Sequence, residues 1–159
     1  MATKDTPKTT ANRPMVIRFR KLIPEAVKPT KATGFSAAWD MTAAKVEIDT
    51  TTDGLVRYTV HTGIAVEIPE GYYGDLRSRS SVCKTGLILS NGCGVIDSDY
   101  RGEVKAVFYL TSHDGSAAYE AGERCLQLLI SPVPNVEFEE ADELTMTLRG
   151  EGGYGSTGK

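Results

Sequence analysis

The chain has 159 residues, which is the length of one domain. A domain of this length buries about 70% of the surface that its unfolded chain exposes, so it needs no disulfide or metal to fold. Its 18 Lys and Arg residues against 21 Asp and Glu give a net charge of −3, which argues against a general nucleic-acid-binding protein, since such proteins are strongly basic. No apolar stretch approaches the ~20 residues of a membrane span, and no apolar run follows Met1 as it does in a secretory signal.

The cysteines and histidines offer no metal site. Cys83, Cys93 and Cys125 lack C-x-x-C spacing, and their odd number excludes a complete disulfide framework. We therefore expect free thiols in a reducing intracellular compartment: the cytoplasm, or the nucleus or an infected host cell if the source is eukaryotic or viral. His61 and His113 are too scattered to ligate a metal, and the alternation around His61 predicts a surface-facing strand residue.

The predicted elements are short strands. Residues 1–13 contain no apolar run and are predicted to be a flexible arm. Beyond them, segments rich in β-branched and aromatic residues are separated by Gly, Pro, Asp and Asn turn signals. The predicted strands are 16–19, 45–48, 55–60, 64–68, 87–89, 104–110, 126–130 and 135–138. The pattern predicts an all-β sandwich, jelly roll or barrel, with one short helical turn at 80–85.

A bend in residues 76–86, with the sequence LRSRSSVCKTG, concentrates groups that bind anions. Arg79, Ser80 and Ser81 offer a guanidinium group, two hydroxyls and backbone N–H groups at one short bend. This combination predicts capture of an anion such as a phosphate. A solvated turn without a ligand is the alternative.

Residues 91–102, with the sequence NGCGVIDSDYRG, are predicted to form a β-hairpin with the strand that starts at Glu103. Asp97 and Asp99 then point to one side and Tyr100 to the other, unless the tip distorts the alternation. A tip ordered by an Asp–Arg salt bridge is the alternative. Asp40, an acid among small and apolar residues, is predicted to be paired, bound to a metal shell or placed at a turn.

The C-terminal segment 149–159, RGEGGYGSTGK, has five glycines in eleven residues, too many for it to order by itself. Arg149, Tyr154, Ser156 and Thr157 supply a cation, a ring and two hydroxyls, which suit a lid over a phosphorylated ligand. A disordered tail and a linker are the alternatives.

Five segments in order resemble the five motifs of the trimeric dUTPase family (dUTP nucleotidohydrolase). They are AAWDMTAA at 37–44, RSS at 79–81, GCGVIDSDYRG at 92–102, GERCLQLLI at 122–130 and RGEGGYGSTG at 149–158. The resemblance implies a jelly-roll-like β-barrel or sandwich over residues 14–145. It also implies a homotrimer in which each active site is built from three chains. Residues 146–159 would form a flexible glycine-rich arm that closes over a neighbouring subunit's active site.

The activity that the resemblance implies is hydrolysis of dUTP to dUMP and pyrophosphate, which limits uracil incorporation into DNA and supplies dUMP for thymidylate synthesis. Asp97 would activate the water that attacks the α-phosphorus, and Asp40 would bind Mg²⁺ through water. The phosphates would contact Arg79, Ser80, Ser81, Gln127, Arg149, Ser156 and Thr157. No contact with nucleic acid or with a membrane is implied.

The nucleoside would be recognised by the segment around the third motif. Asn91, Gly94 and Lys105 lie on the backbone expected to pair with uracil and to mismatch cytosine. Tyr100 would pack beneath the deoxyribose and exclude a ribose 2′-OH, and Tyr154 would stack over the uracil. Tyr154 stands where the family usually has Phe, and Ser81 where it usually has Gly.

Two other functions are alternatives to dUTP hydrolysis. The related dCTP deaminases carry a glutamate on the strand after the third motif, where this chain has Val107, so no acid is available there for the cytosine ring. A non-catalytic regulatory protein on the same scaffold would have lost the base, the arm or the metal carboxylate. Asp97, Asp40 and the arm are all present.

Overall fold

The structure, a computed structural model, describes residues 14–111 and 119–154. Within these ranges the chain forms nine strands and one short 3₁₀ helix. The strands are β1 Arg18–Lys21, β2 Trp39–Thr42, β3 Lys45–Thr50, β4 Val56–Glu67, β5 Tyr72–Ser78, β6 Leu87–Leu89, β7 Gly94–Ile96, β8 Glu103–Leu110 and β9 Arg124–Pro132. The 3₁₀ helix is Ser80–Lys84. None of the helical structure described is long and apolar enough to cross a membrane.

Two antiparallel sheets make up the fold and confirm the predicted all-β, jelly-roll-like class. The first has the order β1-β4-β8-β6, with β3 also paired to β4, and the second has the order β2-β9-β5-β7. The 12-residue strand β4 is long enough to pair with β3 along its first half and with β1 along its second half. The two sheets therefore share one layer of core side chains.

The core is built by alternation along the strands of both sheets. In β8, Val104, Ala106 and Phe108 are buried, while the residues between them face outward. Met41 and Leu126 from the second sheet are fully buried in the same cluster. Because side chains alternate with a period of two, the residues of β8 that face outward are free to line a site.

A bulge interrupts β4 opposite β8. The register shifts between His61 and Ala65, and Gly63 takes a left-handed φ of 65°. A Cβ at Gly63 would lie 2.6 Å from Cγ1 of Ile23, so only glycine fits. The predicted strands 55–60 and 64–68 are consequently parts of one bulged strand.

Several further predictions are confirmed and others are wrong. Strands predicted at 45–48, 87–89, 104–110 and 126–130 lie within β3, β6, β8 and β9, and the helical turn at 80–85 is present. The strand predicted at 16–19 is shifted to Arg18–Lys21. The predicted hairpin is wrong: β7 pairs with β5 in the second sheet, whereas β8 lies between β4 and β6 in the first sheet. Strands β2 and β5 were not predicted.

Residues 133–148, which we call the C-terminal strap, form no strand, so the prediction at 135–138 is wrong. Phe138, Leu144, Met146 and Leu148 are almost fully exposed along it. These four apolar side chains are therefore not packed against the described part of the chain. The division into 1–13, 14–145 and 146–159 stays a prediction, and residues 1–13 lie outside the described part of the chain.

Candidate active site

A cavity of about 360 Å³ opens beside the third motif, between strands of the two sheets. It has the size of a small-molecule site. Its lining residues are Leu76, Leu89, Ser90, Asn91, Gly94, Val95, Ile96, Asp97, Tyr100, Glu103, Lys105, Ala106 and Val107. All four residues predicted to contact the nucleoside from this segment, together with Asp97, are thus brought to one place.

The chain reaches this cavity by crossing from one sheet to the other. After β6, the N–H of Ser90 donates to the Val107 carbonyl at 2.9 Å and continues the pairing with β8. A tight turn follows, in which Gly92 has a φ of 67°, and β7 then pairs with β5. The crossing therefore brings Asn91 and Gly94 to the cavity.

The tip that carries Asp97 and Tyr100 is a hydrogen-bonded turn. The Tyr100 N–H donates to the Asp97 carbonyl at 3.1 Å, and the Tyr100 hydroxyl donates to the Glu103 carbonyl at 3.1 Å. Arg101 donates to backbone carbonyls, so no Asp–Arg salt bridge orders this tip. Asp97 lines both the cavity and a larger open cleft of about 1020 Å³, which Asp99 also lines.

A second group of polar and charged residues surrounds Asp40 and is called the Asp40 cluster here: Asp40, Arg79, Arg124 and Gln127. Asp40 of β2 is only 3% exposed and stands opposite Gln127 of β9. Its Oδ1 accepts hydrogen bonds from Arg79 Nε at 3.0 Å and from Gln127 Nε2 at 3.3 Å. Its Oδ2 accepts one from Arg124 Nη1 at 3.0 Å. The carboxylate is paired, as a buried charge must be.

The guanidinium of Arg79 is held on two of its edges. Besides its bond to Asp40, Arg79 donates from Nη1 to the Arg124 carbonyl at 3.2 Å. Ser80 begins the 3₁₀ helix directly after it, and Ser81 follows. The bend predicted to bind an anion therefore presents an oriented arginine beside two hydroxyls.

The donor set around Asp40 suits a metal only through water. Both carboxylate oxygens of Asp40 already accept hydrogen bonds, so direct coordination would displace arginine. In the described ranges no group of three or more His, Cys, Asp or Glu side chains could hold a metal ion. A Mg²⁺ ion keeps several waters and takes its other ligands from substrate phosphates, so one water-linked carboxylate fits it.

The two groups of site residues lie at opposite ends of β5. Ile96 pairs with Gly74, which places Asp97 beside Tyr73, whereas Arg79 follows the last residue of the strand. Six residues of extended chain separate Tyr73 from Arg79, or about 20 Å at roughly 3.3 Å each. One chain therefore does not bring Asp97 to its own Arg79.

The glycine-rich arm is described only in part. Arg149 Nε donates to the Gly152 carbonyl at 2.9 Å, and Tyr154 is fully exposed with a φ of 49°. Neither residue lines either cavity. Ser156, Thr157 and His113 lie outside the described residues.

Sequence reasoning missed two charged residues at the starts of strands. Arg124 opens β9 and joins the Asp40 cluster, and Glu103 opens β8 and lines the cavity. Arg124 lies within the fourth motif segment and Glu103 directly follows the third, and these positions are the signal that could have drawn attention to them. His61 was predicted to face the surface, but its side chain is only 20% exposed and contacts Glu103.

The three thiols differ in accessibility. Cys83 and Cys93 are exposed, whereas Cys125 is fully buried, and burial raises the pKa of its thiol to about 12. Because the thiolate is the reactive form, we expect two thiols to be modified rapidly in the native protein and the third only after unfolding. Titration with a chromogenic disulfide, with and without denaturant, measures this. Three rapid reactions in the native protein would contradict the buried placement of Cys125.

The sequence is similar to a known protein family and to individual bacterial proteins. A family model described as dUTPase matches residues 25–158. The deoxyuridine 5′-triphosphate nucleotidohydrolase of Anaplasma marginale is 44% identical over 133 residues, which is 82% of this chain and 88% of that protein.

Two solved phage structures are also similar. The dUTPase of Staphylococcus bacteriophage 80alpha with dUPNHPP matches with a TM-score of 0.77 and 27% identity, over 91% of this chain and 99% of that one. A mutant dUTPase of phage phi11 of S. aureus, which coordinates a structural Mg(II) ion, matches with a TM-score of 0.68 and 25% identity over 81% and 98%.

Proposed function

Since this chain belongs to the dUTPase family and hydrolyses dUTP to dUMP and pyrophosphate, we propose that two neighbouring subunits together form the core of each active site. The observation that carries the proposal is the separation of about 20 Å, along β5, between Asp97 and the Arg79 of the same chain. A second copy arranged head to tail brings the Asp97 end of one chain to the Arg79 end of the next. Such a heterologous contact closes into a ring, as in a homotrimer.

The deoxynucleoside occupies the cavity beside the third motif. Asn91, Gly94 and Lys105 present backbone donors and acceptors to the uracil, and Tyr100 packs against the deoxyribose. The hydrogen bond from Tyr100 to the Glu103 carbonyl supports this role because it holds the ring in one orientation. A base that mismatches these groups leaves buried polar atoms unpaired, which is a strong basis for selectivity.

The lining of the cavity also argues against deamination. Val107 lines it at the position where a deaminase needs a carboxylate. The acid nearest in the chain, Glu103, has both carboxylate oxygens engaged, one by the Gly63 N–H and one by His61. Neither residue is available to move protons on a cytosine ring.

Asp97 acts as the general base. Its carboxylate accepts a proton from the water that attacks the α-phosphorus, and pyrophosphate leaves from the opposite side. Its position in both the cavity and the open cleft supports this role, because water can reach it beside the bound nucleoside. A positioned general base typically contributes about 10²–10⁴-fold to the rate.

The Asp40 cluster of the neighbouring chain holds the triphosphate. Asp40 aligns Arg79, Arg124 and Gln127, and two arginines against one carboxylate leave an excess positive charge for the phosphates. Ser80 and Ser81 add hydroxyl donors where charge develops on the leaving group. Asp40 would hold Mg²⁺ through water, and the ion would supply neutralisation of the charge on the triphosphate.

The C-terminal arm comes from a further subunit. The exposed apolar side chains of the C-terminal strap support its packing against a neighbour, and the strap carries the arm away from its own chain. Arg149, Ser156 and Thr157 then clamp the outer phosphates, while Tyr154 stacks over the uracil. The free thiols fit a reducing intracellular compartment, and we assign no nucleic-acid or membrane partner.

Subunit complementation tests the shared site. Asp97→Asn and Arg79→Ala chains are each expected to be inactive, yet mixed trimers regain activity at sites that take Asp97 from one chain type and Arg79 from the other. Random mixing in a head-to-tail ring restores about a quarter of the sites. Light scattering verifies an assembly of three times 17.2 kDa, and mass spectrometry verifies mixing.

The matched control mixes Asp97→Asn with the double variant Asp97→Asn/Arg79→Ala, in which no chain carries the base and no activity returns. Complete inactivity of well-mixed Asp97→Asn and Arg79→Ala trimers would overturn the shared site. A monomeric, fully active protein would do the same.

A further inference from the structure

The outer face of the first sheet carries a cluster of three ionisable side chains, His61, Glu47 and Glu103, to which the proposed function gives no role. His61 of β4 lies between Glu47 of β3 and Glu103 of β8. Its Nδ1 is 2.8 Å from Glu103 Oε2, whereas its Nε2 is 3.3 Å from Glu47 Oε2 at a geometry short of a hydrogen bond. A carboxylate can only accept, so Nδ1 carries the proton and donates to Glu103.

Glu103 links this face to the β4 bulge. Its Oε1 accepts the Gly63 N–H at 2.8 Å, and its backbone pairs with Ala65 just beyond the register shift. Gly63 has a left-handed φ of 65°, and a side chain at this position would clash with Ile23, so the bulge that directs its N–H towards Glu103 requires glycine. The carboxylate of Glu103 is thereby held by one donor from the bulge and one from His61.

Glu103 also links the same face to the nucleoside cavity. Its carbonyl accepts the Tyr100 hydroxyl, and it lines the cavity together with Lys105, two residues further along β8. The Tyr100 ring rests on Gly102, where a Cβ would lie 2.3 Å from the Tyr100 oxygen. The orientation of the ring therefore depends on where the chain from Gly102 to Glu103 is held.

We propose that His61 is a positioning residue for the nucleoside cavity, which acts through Glu103 to hold the Tyr100 ring. His61 does not line the cavity, yet it supplies one of the two donors that fix the Glu103 side chain. Without that donor the start of β8 loosens, and the contact between Tyr100 and the sugar is no longer exact enough to distinguish deoxyribose from ribose. The inference rests on the proposed placement of the nucleoside beside Tyr100.

Two substitutions of His61 distinguish a positioning role from a contribution to the stability of the fold alone. His61→Asn places an amide nitrogen near the position of Nδ1 and keeps a donor for Glu103, whereas His61→Leu has none. We expect His61→Leu to lower the ratio of kcat/KM for dUTP over UTP roughly tenfold, through KM rather than kcat. We expect His61→Asn to stay close to the wild type in the ratio of kcat/KM and in KM.

The matched control is Arg57→Leu, which breaks the exposed pair with Asp49 elsewhere on β4 and leaves the dUTP to UTP ratio unchanged. Equal ratios in the wild type and His61→Leu would overturn the proposal, as would equal losses in His61→Asn and His61→Leu.

If His61→Leu does not fold, His61→Gln replaces it, because the amide nitrogen of Gln lies near the position of Nε2 and not of Nδ1. Calorimetric binding of dUMP and UMP gives the same comparison without catalysis, so a failure of the proposed mechanism does not hide the result.

Discussion

Asp97→Asn is expected to reduce kcat for dUTP hydrolysis by about 10²–10⁴-fold and to leave dUMP binding nearly unchanged. The amide has the size of the carboxylate but cannot accept the proton of the attacking water. In the proposed site the nucleoside contacts Asn91, Gly94 and Tyr100, and these residues are unchanged in the variant. Pyrophosphate release from dUTP with Mg²⁺ measures the rate, and calorimetry with dUMP measures binding.

The chain offers a matched control for this experiment two residues away. Asp99 belongs to the same turn and lines the open cleft but not the nucleoside cavity. Asp99→Asn removes the same charge, and we expect its kcat to stay within a few-fold of the wild type. Comparable losses in the two variants would show that the local negative charge matters and that Asp97 is not the base. Release of ammonia from dCTP would instead favour deamination.

Asp40→Asn is expected to weaken both folding and triphosphate binding. The variant leaves Arg79 and Arg124 beside a neutral group, and breaking a buried ion pair costs about 3–5 kcal/mol. Because the Arg124 side chain is 49% exposed and stays partly hydrated, we expect about 3 kcal/mol, at the lower end of that range. Affinity for a non-hydrolysable dUTP analogue falls with the loss of arginine alignment, whereas dUMP affinity is retained.

Urea unfolding at a fixed protein concentration measures the stability change, since an oligomer's apparent stability depends on concentration. Asp49→Asn is the matched control because Asp49 pairs with Arg57 in solvent, where such pairs contribute about 0–1 kcal/mol. Equal destabilisation by the two substitutions would contradict the role assigned to the Asp40 cluster. An equal loss of dUMP binding and analogue binding in Asp40→Asn would contradict the proposal that the Asp40 cluster binds only the outer phosphates.

The strands that could be predicted are those whose own alternation decides their placement. In β8 every second residue is apolar, and Val104, Ala106 and Phe108 all face the core. The sequence did not predict β5 because Asp75, which is buried, and Arg77, which pairs with it, interrupt the apolar pattern of this strand. The strap segment 135–138 has strand-like composition but pairs with no strand among residues 14–111 and 119–154, and composition alone cannot supply a partner.

In the candidate site, too, the local sequence indicated some residues, whereas others depend on strand pairing. The local sequence indicated Arg79, Ser80 and Asp97, since each stands in a short segment with chemically distinctive neighbours. It could not indicate that Arg124 and Gln127 share the carboxylate of Asp40, more than 80 residues earlier, because that contact depends on the register of β2 against β9.

By itself, the sequence determined the all-β class, the motif segments and, through their resemblance to a family, the reaction. Only the tertiary structure decided that Asp97 and Arg79 stand at opposite ends of β5, and that His61 reaches the nucleoside cavity through Glu103. The reason is that residue type and spacing specify local conformation, whereas strand pairing and the Gly63 bulge set which distant side chains meet.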